Sequence, residues 1–229
     1  MPNKVTFVLL KIFTVVAVLT FINVVLILFF PEVYTTNFLI PLILFNIFIA
    51  VDKAAQPFLI YGQKEKKAKM ELYKALSMFL LLFMIPFIAS VPYLEYSLIQ
   101  KKILSPELTW VFWTLGILMI IIGGSTMCIS RIILGRESSI VIGIEKDHNL
   151  VTKGPYHIIR HPINTGSSFL FLGYTLSFSS MICSMIILLI LLVWLNKRIK
   201  LEEKLLIETF GDDYLNYMKR TKRLIPFIY

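Results

Sequence analysis

The sequence predicts an all-α bundle of membrane-spanning helices, and three observations carry that expectation. Hydrophobic residues make up 57% of the 229-residue chain and charged residues only 16%, against about half and a quarter in an ordinary soluble domain. The apolar residues gather in runs of about 20, the length that crosses a bilayer as a helix. Between the runs, lysine and arginine are spread unevenly, as in proteins whose orientation is set by basic cytoplasmic loops. No stretch suggests a sheet, and no repeat or low-complexity segment is present. The net charge of +9 does not point to nucleic acid, because the basic residues stand beside hydrophobic runs.

Taken in order, Val5 to Phe30 is a first apolar run, interrupted by Lys11 and Asn23. It is longer than a signal-peptide core and no small-residue cleavage site follows, so it reads as a retained helix. Pro31-Glu32 ends it. A second run starts near Asn37 and stays apolar to Val51, with a lower end that can extend past Asp52-Lys53. Gly62 to Lys74 is a basic loop. The third run, Ala75 to Leu94, holds Pro86 and Pro92, which predict a kink. Glu95 to Glu107 reads as a short polar link. The fourth run, Leu108 to Leu134, carries Gly116 and Gly123-Gly124, small enough to let another helix come close. Gly135 to Gly166 is polar and rich in breaks. Ser167 to Leu195 is apolar but interrupted by serines at 177, 179 and 180, which fits a helical hairpin turning there. Asn196 to Tyr229 is a charged, amphipathic tail. Cys128 and Cys183 lie in apolar runs without partner spacing, so neither a disulfide framework nor a zinc site is expected.

Orientation follows from the basic residues. Segments 52–74, 131–164 and 196–229 hold six, five and eight of them, whereas the links 31–36 and 93–107 hold none and two. About six helices, with the N terminus, the 52–74 loop, the central polar region and the tail all cytosolic, satisfy this bias. The central region and the tail then share one side and can meet.

The stretch His148 to Gly166 concentrates the chemistry. It contains every histidine of the chain, His148, His157 and His161, together with Gly154-Pro155, Pro162 and Gly166. Polar, irregular backbone at membrane depth is tolerated only where protein buries it or water reaches it. Arg160-His161-Pro162 puts a fixed cation and a titratable ring at a helix boundary, since proline restrains the residue before it. A helix starting there would present free N–H groups to an anion such as a carboxylate. Tyr156, after the Gly154-Pro155 turn, could stack on a planar base. Each residue alone also has an ordinary reading as a headgroup contact or interface anchor. Their gathering within a chain poor in polar groups favours a functional site. His157 and His161 have helical metal spacing, but no cysteine or third histidine is close, so no metal is expected. In the tail, Arg198 and Glu202 share a helical face, and Gly211 followed by Asp212-Asp213 stops one helix and can cap the next. The run Lys219-Arg220-Thr221-Lys222-Arg223 reads as a solvated or headgroup-facing surface.

These pieces resemble a known family. His148-Asn149-Leu150-Val151, Gly154-Pro155-Tyr156, Arg160-His161-Pro162, Gly166, Glu202-Glu203, Phe210-Gly211 with Tyr214 and Tyr217, and the closing Ile225-Pro226 follow the order found in integral-membrane methyltransferases of the isoprenylcysteine carboxyl methyltransferase type and their phospholipid methyltransferase relatives. The resemblance covers residues 131–229, and the first half matches only as a set of helices. It implies a single integral-membrane domain over 1–229, with N-terminal helices in 1–130 and a catalytic half in 131–229. It implies S-adenosylmethionine as cofactor, contacted by His148, Asn149, Leu150, Val151, Tyr156, His161, Pro162, Ile163, Asn164 and Glu202. Arg198 would face the methyl acceptor, with Arg160 and Glu203 beside the chemistry. Where the family has a tyrosine two residues after the proline, this chain has Asn164, so pocket shape or acceptor can differ.

The implied reaction is methyl transfer to a lipophilic acceptor entering from the bilayer, foremost the carboxylate of a prenylated cysteine. Such a displacement rests on positioning and water exclusion. A carboxylate acceptor needs no base; a phospholipid amine would have to lose a proton, and Glu203 or a histidine would then matter. Two other functions compete. An NADPH-dependent sterol or enone reductase has a similar C-terminal half, but Glu202-Glu203 would repel a phosphorylated dinucleotide. A lipid-binding scaffold would bind no cofactor at all.

Overall fold

The computed structural model describes residues 36–55, 91–137 and 150–225. The first apolar run, the 62–74 loop and nearly all of the third run lie outside the described residues, as do His148 and Asn149. The described chain is helical, with no strand. Its elements are α1 (Thr36–Ala55), α2 (Pro106–Glu137), α3 (Pro162–Ser177), α4 (Met181–Phe210) and α5 (Asp212–Arg220).

Helix α2 forms the spine. Its segment Pro106–Leu134 is long and apolar enough to cross a membrane, and Leu39–Asp52 and Met181–Val193 are shorter apolar stretches. Large aliphatic side chains on α2 and α4 stay exposed, among them Ile122, Met185, Ile190 and Val193. That is the surface a helix offers to lipid rather than to water.

Helix α3 packs antiparallel along α2 through matched glycines. A Cβ on Gly123 would stand 2.6 Å from the Gly166 carbonyl oxygen, and one on Gly173 would stand 2.7 Å from that of Gly116. Each pair is spaced seven residues along its own helix, two turns, so both fall on the contact stripe. The expectation that small residues on the fourth run admit a neighbour is met, and the neighbour is α3. Across this pair α1 lays Leu42, Phe45 and Ile49 into a core completed by Tyr174 and Phe178. Phe45 stacks at a tilt on Tyr174, with ring centroids 4.6 Å apart.

The hairpin turn falls at Phe178–Ser180, as the serines predict. Ser179 adopts a left-handed φ of 55° to make it. The 95–107 link corrects the sequence expectation. Residues 91–103 are helical, with a wide turn at Tyr96–Gln100, and Glu95 and Gln100 are buried rather than solvated. The cause is the open start of α4. Glu95 accepts from the backbone N–H groups of Ile182 at 2.8 Å and Cys183 at 2.9 Å, and from the Ser180 hydroxyl. Those amides have no partner within the helix, so a carboxylate on the neighbouring link serves as their cap. Gln100 donates to the same carboxylate at 3.0 Å. At the opposite end of the bundle, Arg131 of α2 pairs with Asp52 of α1 at 2.7 Å.

Helix α4 is longer than its apolar part. It runs unbroken from the hairpin to Phe210, so Arg198, Glu202 and Glu203 ride on the same helix as the apolar stretch Met181–Val193, not on a separate tail helix. Gly211, at φ 54°, breaks it and starts α5. Asp212 and Asp213 occupy the first turn of α5 without making the side-chain cap expected of them; their charge still suits the positive end of the helix.

Candidate active site

The site forms where three strips of chain converge: the turn and boundary at 150–164, the outer third of α4, and the tail after α5. Gly154–His157 makes one tight turn, with Gly154 at φ 59°, a conformation that glycine adopts without penalty. The turn delivers Tyr156 inward. Its hydroxyl donates to the Ser130 carbonyl on α2 at 3.4 Å, and its own carbonyl accepts from the Tyr217 hydroxyl at 2.6 Å. Tyr156 is therefore clamped between α2 and α5.

Residues 159–161 then run extended beside the tail. The N–H of Arg160 donates to Lys222 at 2.7 Å and that of His161 to Arg223 at 3.1 Å. This forms a single parallel bridge, Ile159 to Lys222. Helix α3 starts at Pro162, with His161 as its cap residue. Proline suits that first position because its missing N–H would be unpaired there anyway. Thr165 adds a bond from its hydroxyl to the Leu224 carbonyl at 2.9 Å.

Charges gather on this frame. Glu203 is 3% exposed. Its Oε1 accepts from Arg160 Nε at 2.9 Å, and its Oε2 lies 2.7 Å from Arg223 Nη2. Arg160 also donates through Nη1 to the carbonyls of Met218, at 3.2 Å, and Thr221. Burial alone would push the Glu203 carboxyl up. Bonds from His161, Arg223 and Arg160 outweigh that and bring it from 4.5 down to about 2. The imidazole contact is the loosest of these. His161 Nε2 stands 3.5 Å from Oε1 and makes no well-formed hydrogen bond, so the two guanidiniums do most of the holding. On its other side His161 Nδ1 lies 3.7 Å from Glu202 Oε2. Glu202 differs from its neighbour in being 46% exposed.

The other expected residues that the structure describes differ in burial. Val151, Tyr156, Pro162 and Asn164 are buried, while Leu150 and Ile163 are half-buried. Arg198 is placed by its backbone one helical turn before Glu202. Tyr214, which the sequence reading left without a role, is buried with its hydroxyl unpaired. Burial pushes the hydroxyls of Tyr156, Tyr214 and Tyr217 up, the last to about 12. All three stay protonated near neutral pH.

Arg223 was missed. Its basic run reads as surface, yet its guanidinium is bound to a buried carboxylate. No sequence signal marks it, because the burial of Glu203, which demands cations, exists only in the fold.

Comparison with known proteins places the chain in a family. A family model described as phospholipid methyltransferase matches residues 111–213. Protein-S-isoprenylcysteine O-methyltransferase B of Arabidopsis thaliana is 34% identical over 143 residues, which are 59% of this chain and 70% of that protein. The chain belongs to the isoprenylcysteine carboxyl methyltransferase family. The Rattus norvegicus protein-S-isoprenylcysteine O-methyltransferase is 32% identical over 140 residues, 59% of this chain and 49% of the relative. The chain thus spans about half the length of the mammalian relatives it matches. A solved structure of the eukaryotic intramembrane Ras methyltransferase ICMT superposes with a TM-score of 0.57 at 20% identity, covering 99% of this chain and 87% of that one. The helical fold is that of this methyltransferase, and the chain is an integral membrane protein.

Proposed function

We propose that this chain uses S-adenosylmethionine to O-methylate the carboxylate of an isoprenylcysteine-like acceptor drawn from the bilayer. The observation that carries the reading is the meeting of His161 and Glu202. Two segments far apart in sequence bring a buried imidazole and a half-exposed carboxylate within 3.7 Å, beside the open start of α3. Such a donor set fits an amino acid moiety. Glu202 suits an ammonium. The first-turn N–H groups of α3 suit a carboxylate, and so does the buried, unpaired Nε2 of His161.

When bound, S-adenosylmethionine supplies a methyl group activated by its sulfonium. The chain's part is to bind, orient and exclude water. Leu150, Val151, Tyr156, Pro162, Ile163 and Asn164 wall the pocket in this reading; His148 and Asn149, which the resemblance adds to the donor contacts, lie outside the described residues. Asn164, shorter than a tyrosine, widens it. Arg198 orients the acceptor carboxylate. A carboxylate attacks without releasing a proton, and the most deeply buried acid among the described residues agrees with that. Glu203 is held at about 2 by cations on both oxygens, so it is a poor base. We read Arg160 and Glu203 as the frame of the site.

The same reading counts six spanning helices in one domain: α1 to α4 with the runs Val5–Phe30 and Ala75–Leu94. The pocket faces the cytosol, where the basic segments lie. One observation favours a second reading. The matching family model is that of phospholipid methyltransferases, whose acceptor would be an amine.

The test is incubation of the purified full-length protein with methyl-labelled S-adenosylmethionine and two acceptors, a farnesylated cysteine derivative with a free carboxylate and phosphatidylethanolamine. Base-labile label in the cysteine derivative is the expected result. Label confined to the phospholipid selects the second reading, and label in neither overturns both.

A further inference from the structure

We propose that Arg223 is a positioning residue of the donor site, acting through Glu203 to set the ring of His161. The inference rests on the reading that His161 and Glu202 hold the methyl donor. Glu203 divides its two oxygens. Oε1 takes Arg160 Nε at 2.9 Å and stands 3.5 Å from His161 Nε2. Among the described residues Oε2 takes Arg223 alone, through Nε at 2.9 Å and Nη2 at 2.7 Å. A buried carboxylate demands that its lone pairs be filled. With Arg223 in place the demand is met from the tail, and the imidazole keeps Nε2 available and Nδ1 turned to Glu202.

Without Arg223, Oε2 is left empty at a site 3% exposed. His161 Nε2, 3.5 Å from Oε1, is then a donor within reach that is not already hydrogen-bonded to the carboxylate. Glu203 draws the ring into a full hydrogen bond, Nε2 is consumed, and Nδ1 moves against Glu202. Arg223 can do this because it reaches the histidine by two routes, one direct through the backbone and one through Glu203. Its carbonyl accepts the His161 N–H at 3.1 Å, and its side chain reaches the carboxylate facing the same ring. The tail thus holds both the backbone of His161 and the carboxylate that faces its ring. The fork matters as well as the charge, since arginine offers two parallel donors where lysine offers a point.

The experiment uses full-length protein purified in detergent, comparing wild type, Arg223→Gln, Arg223→Lys and the exposed control Lys219→Gln. Labelled S-adenosylmethionine measures donor Kd, steady-state assays give donor and acceptor KM, and thermal unfolding is followed in parallel. Arg223→Gln should weaken donor binding about tenfold or more, the scale of a small misplacement in a positioned site. Acceptor KM should stay near wild type, Arg223→Lys should recover part of the loss, and Lys219→Gln should change nothing. A purely structural role would lower the unfolding temperature and the active fraction while leaving the donor Kd of the folded protein unchanged; that result overturns the inference. So does an equal rise in both KM values. If Arg223→Gln does not fold, Arg223→Lys decides: several-fold weaker donor binding supports the inference and wild-type binding overturns it. Wild-type protein without saturable donor binding would instead remove the reading of the site itself, and the inference with it.

Discussion

The molecule buries two carboxylates at two ends of α4, and they are built differently. Glu95, 8% exposed, meets the helix start with neutral donors: two backbone amides, a serine hydroxyl and an amide side chain. Glu203, 3% exposed, meets the far end with two guanidiniums. Beside Glu203 stand an imidazole nitrogen without a hydrogen bond and a second carboxylate open to solvent. The donors bonded to Glu95 are spent on closing a helix, and the group left over beside them is a neutral hydroxyl, that of Ser179. Burial of an acid is therefore no mark of function on its own. What marks the second end is a surplus of ionisable groups, an imidazole and an open carboxylate, that the fold does not consume.

The sharpest way to break the comparison is to remove the surplus. His161→Ala and Glu202→Gln should each cut S-adenosylmethionine binding by about 100-fold or more, on the scale of lost positioning. Glu202→Gln should leave the unfolding temperature nearly unchanged, because a side chain 46% exposed contributes little to stability. Equilibrium binding and a thermal melt on the same preparation check both. Normal binding by either variant removes the donor site.

Glu95→Leu should do the reverse. It strands the amides of Ile182 and Cys183, at a cost on the order of 3 kcal/mol. The protein that still folds should bind the donor with wild-type Kd. A shift in Kd larger than the shift in stability would mean the two ends are coupled through α4, and the contrast drawn here would fail.

The sequence made one kind of feature readable and hid another. Features set by neighbours in the chain were visible. Pro162 had to start a helix, serines 177–180 had to interrupt one, and Gly116 and Gly123 had to admit a close partner. Features set by partners far along the chain were not. Glu95 looks like one polar residue in a polar link, because the amides it caps lie more than 80 positions away. Arg223 looks like the last charge of a surface run, because only the fold brings Glu203 beneath it. The family pattern gave the tail its Ile225-Pro226 landmark but assigned no contact to the residues before it. Hydrophobic periodicity is local information, whereas the pairing of a buried charge is not.

The glycine crossing tests whether the site depends on its frame. A Cβ at Gly166 would lie 2.6 Å from the Gly123 carbonyl oxygen and 2.6 Å from the Met127 nitrogen. Neither is a flexible tip that could swing aside. Gly166→Ala should force α3 off α2 and cost about 1–3 kcal/mol. Because Gly166 sits one turn inside the end that His161 caps, donor Kd should also rise several-fold. The equivalent change at Gly173, near the hairpin, should cost similar stability with less effect on Kd. Thermal melts and donor binding on both variants separate the two.

The smallest effect is the one with pH, and its sign follows from Glu203. Its carboxyl drops from 4.5 to about 2 in the folded chain. With the folded value the lower, protonation favours the unfolded chain. The stabilisation is complete above about 4.5 and is lost as pH falls toward 2. Glu203→Gln lacks this contribution at every pH. The gap between the melting temperatures of wild type and Glu203→Gln should thus hold steady from pH 7 to 5 and narrow below 4.5. The narrowing should be a few degrees, since about 1 kcal/mol moves Tm by ~2–4 °C in a chain of this size. A gap that instead widened on acidification would mean the carboxylate is held up by burial rather than down by its arginines. Glu203 would then be available as a proton acceptor near neutral pH, and the case for a carboxylate over an amine as the methyl acceptor would lose its support at this residue.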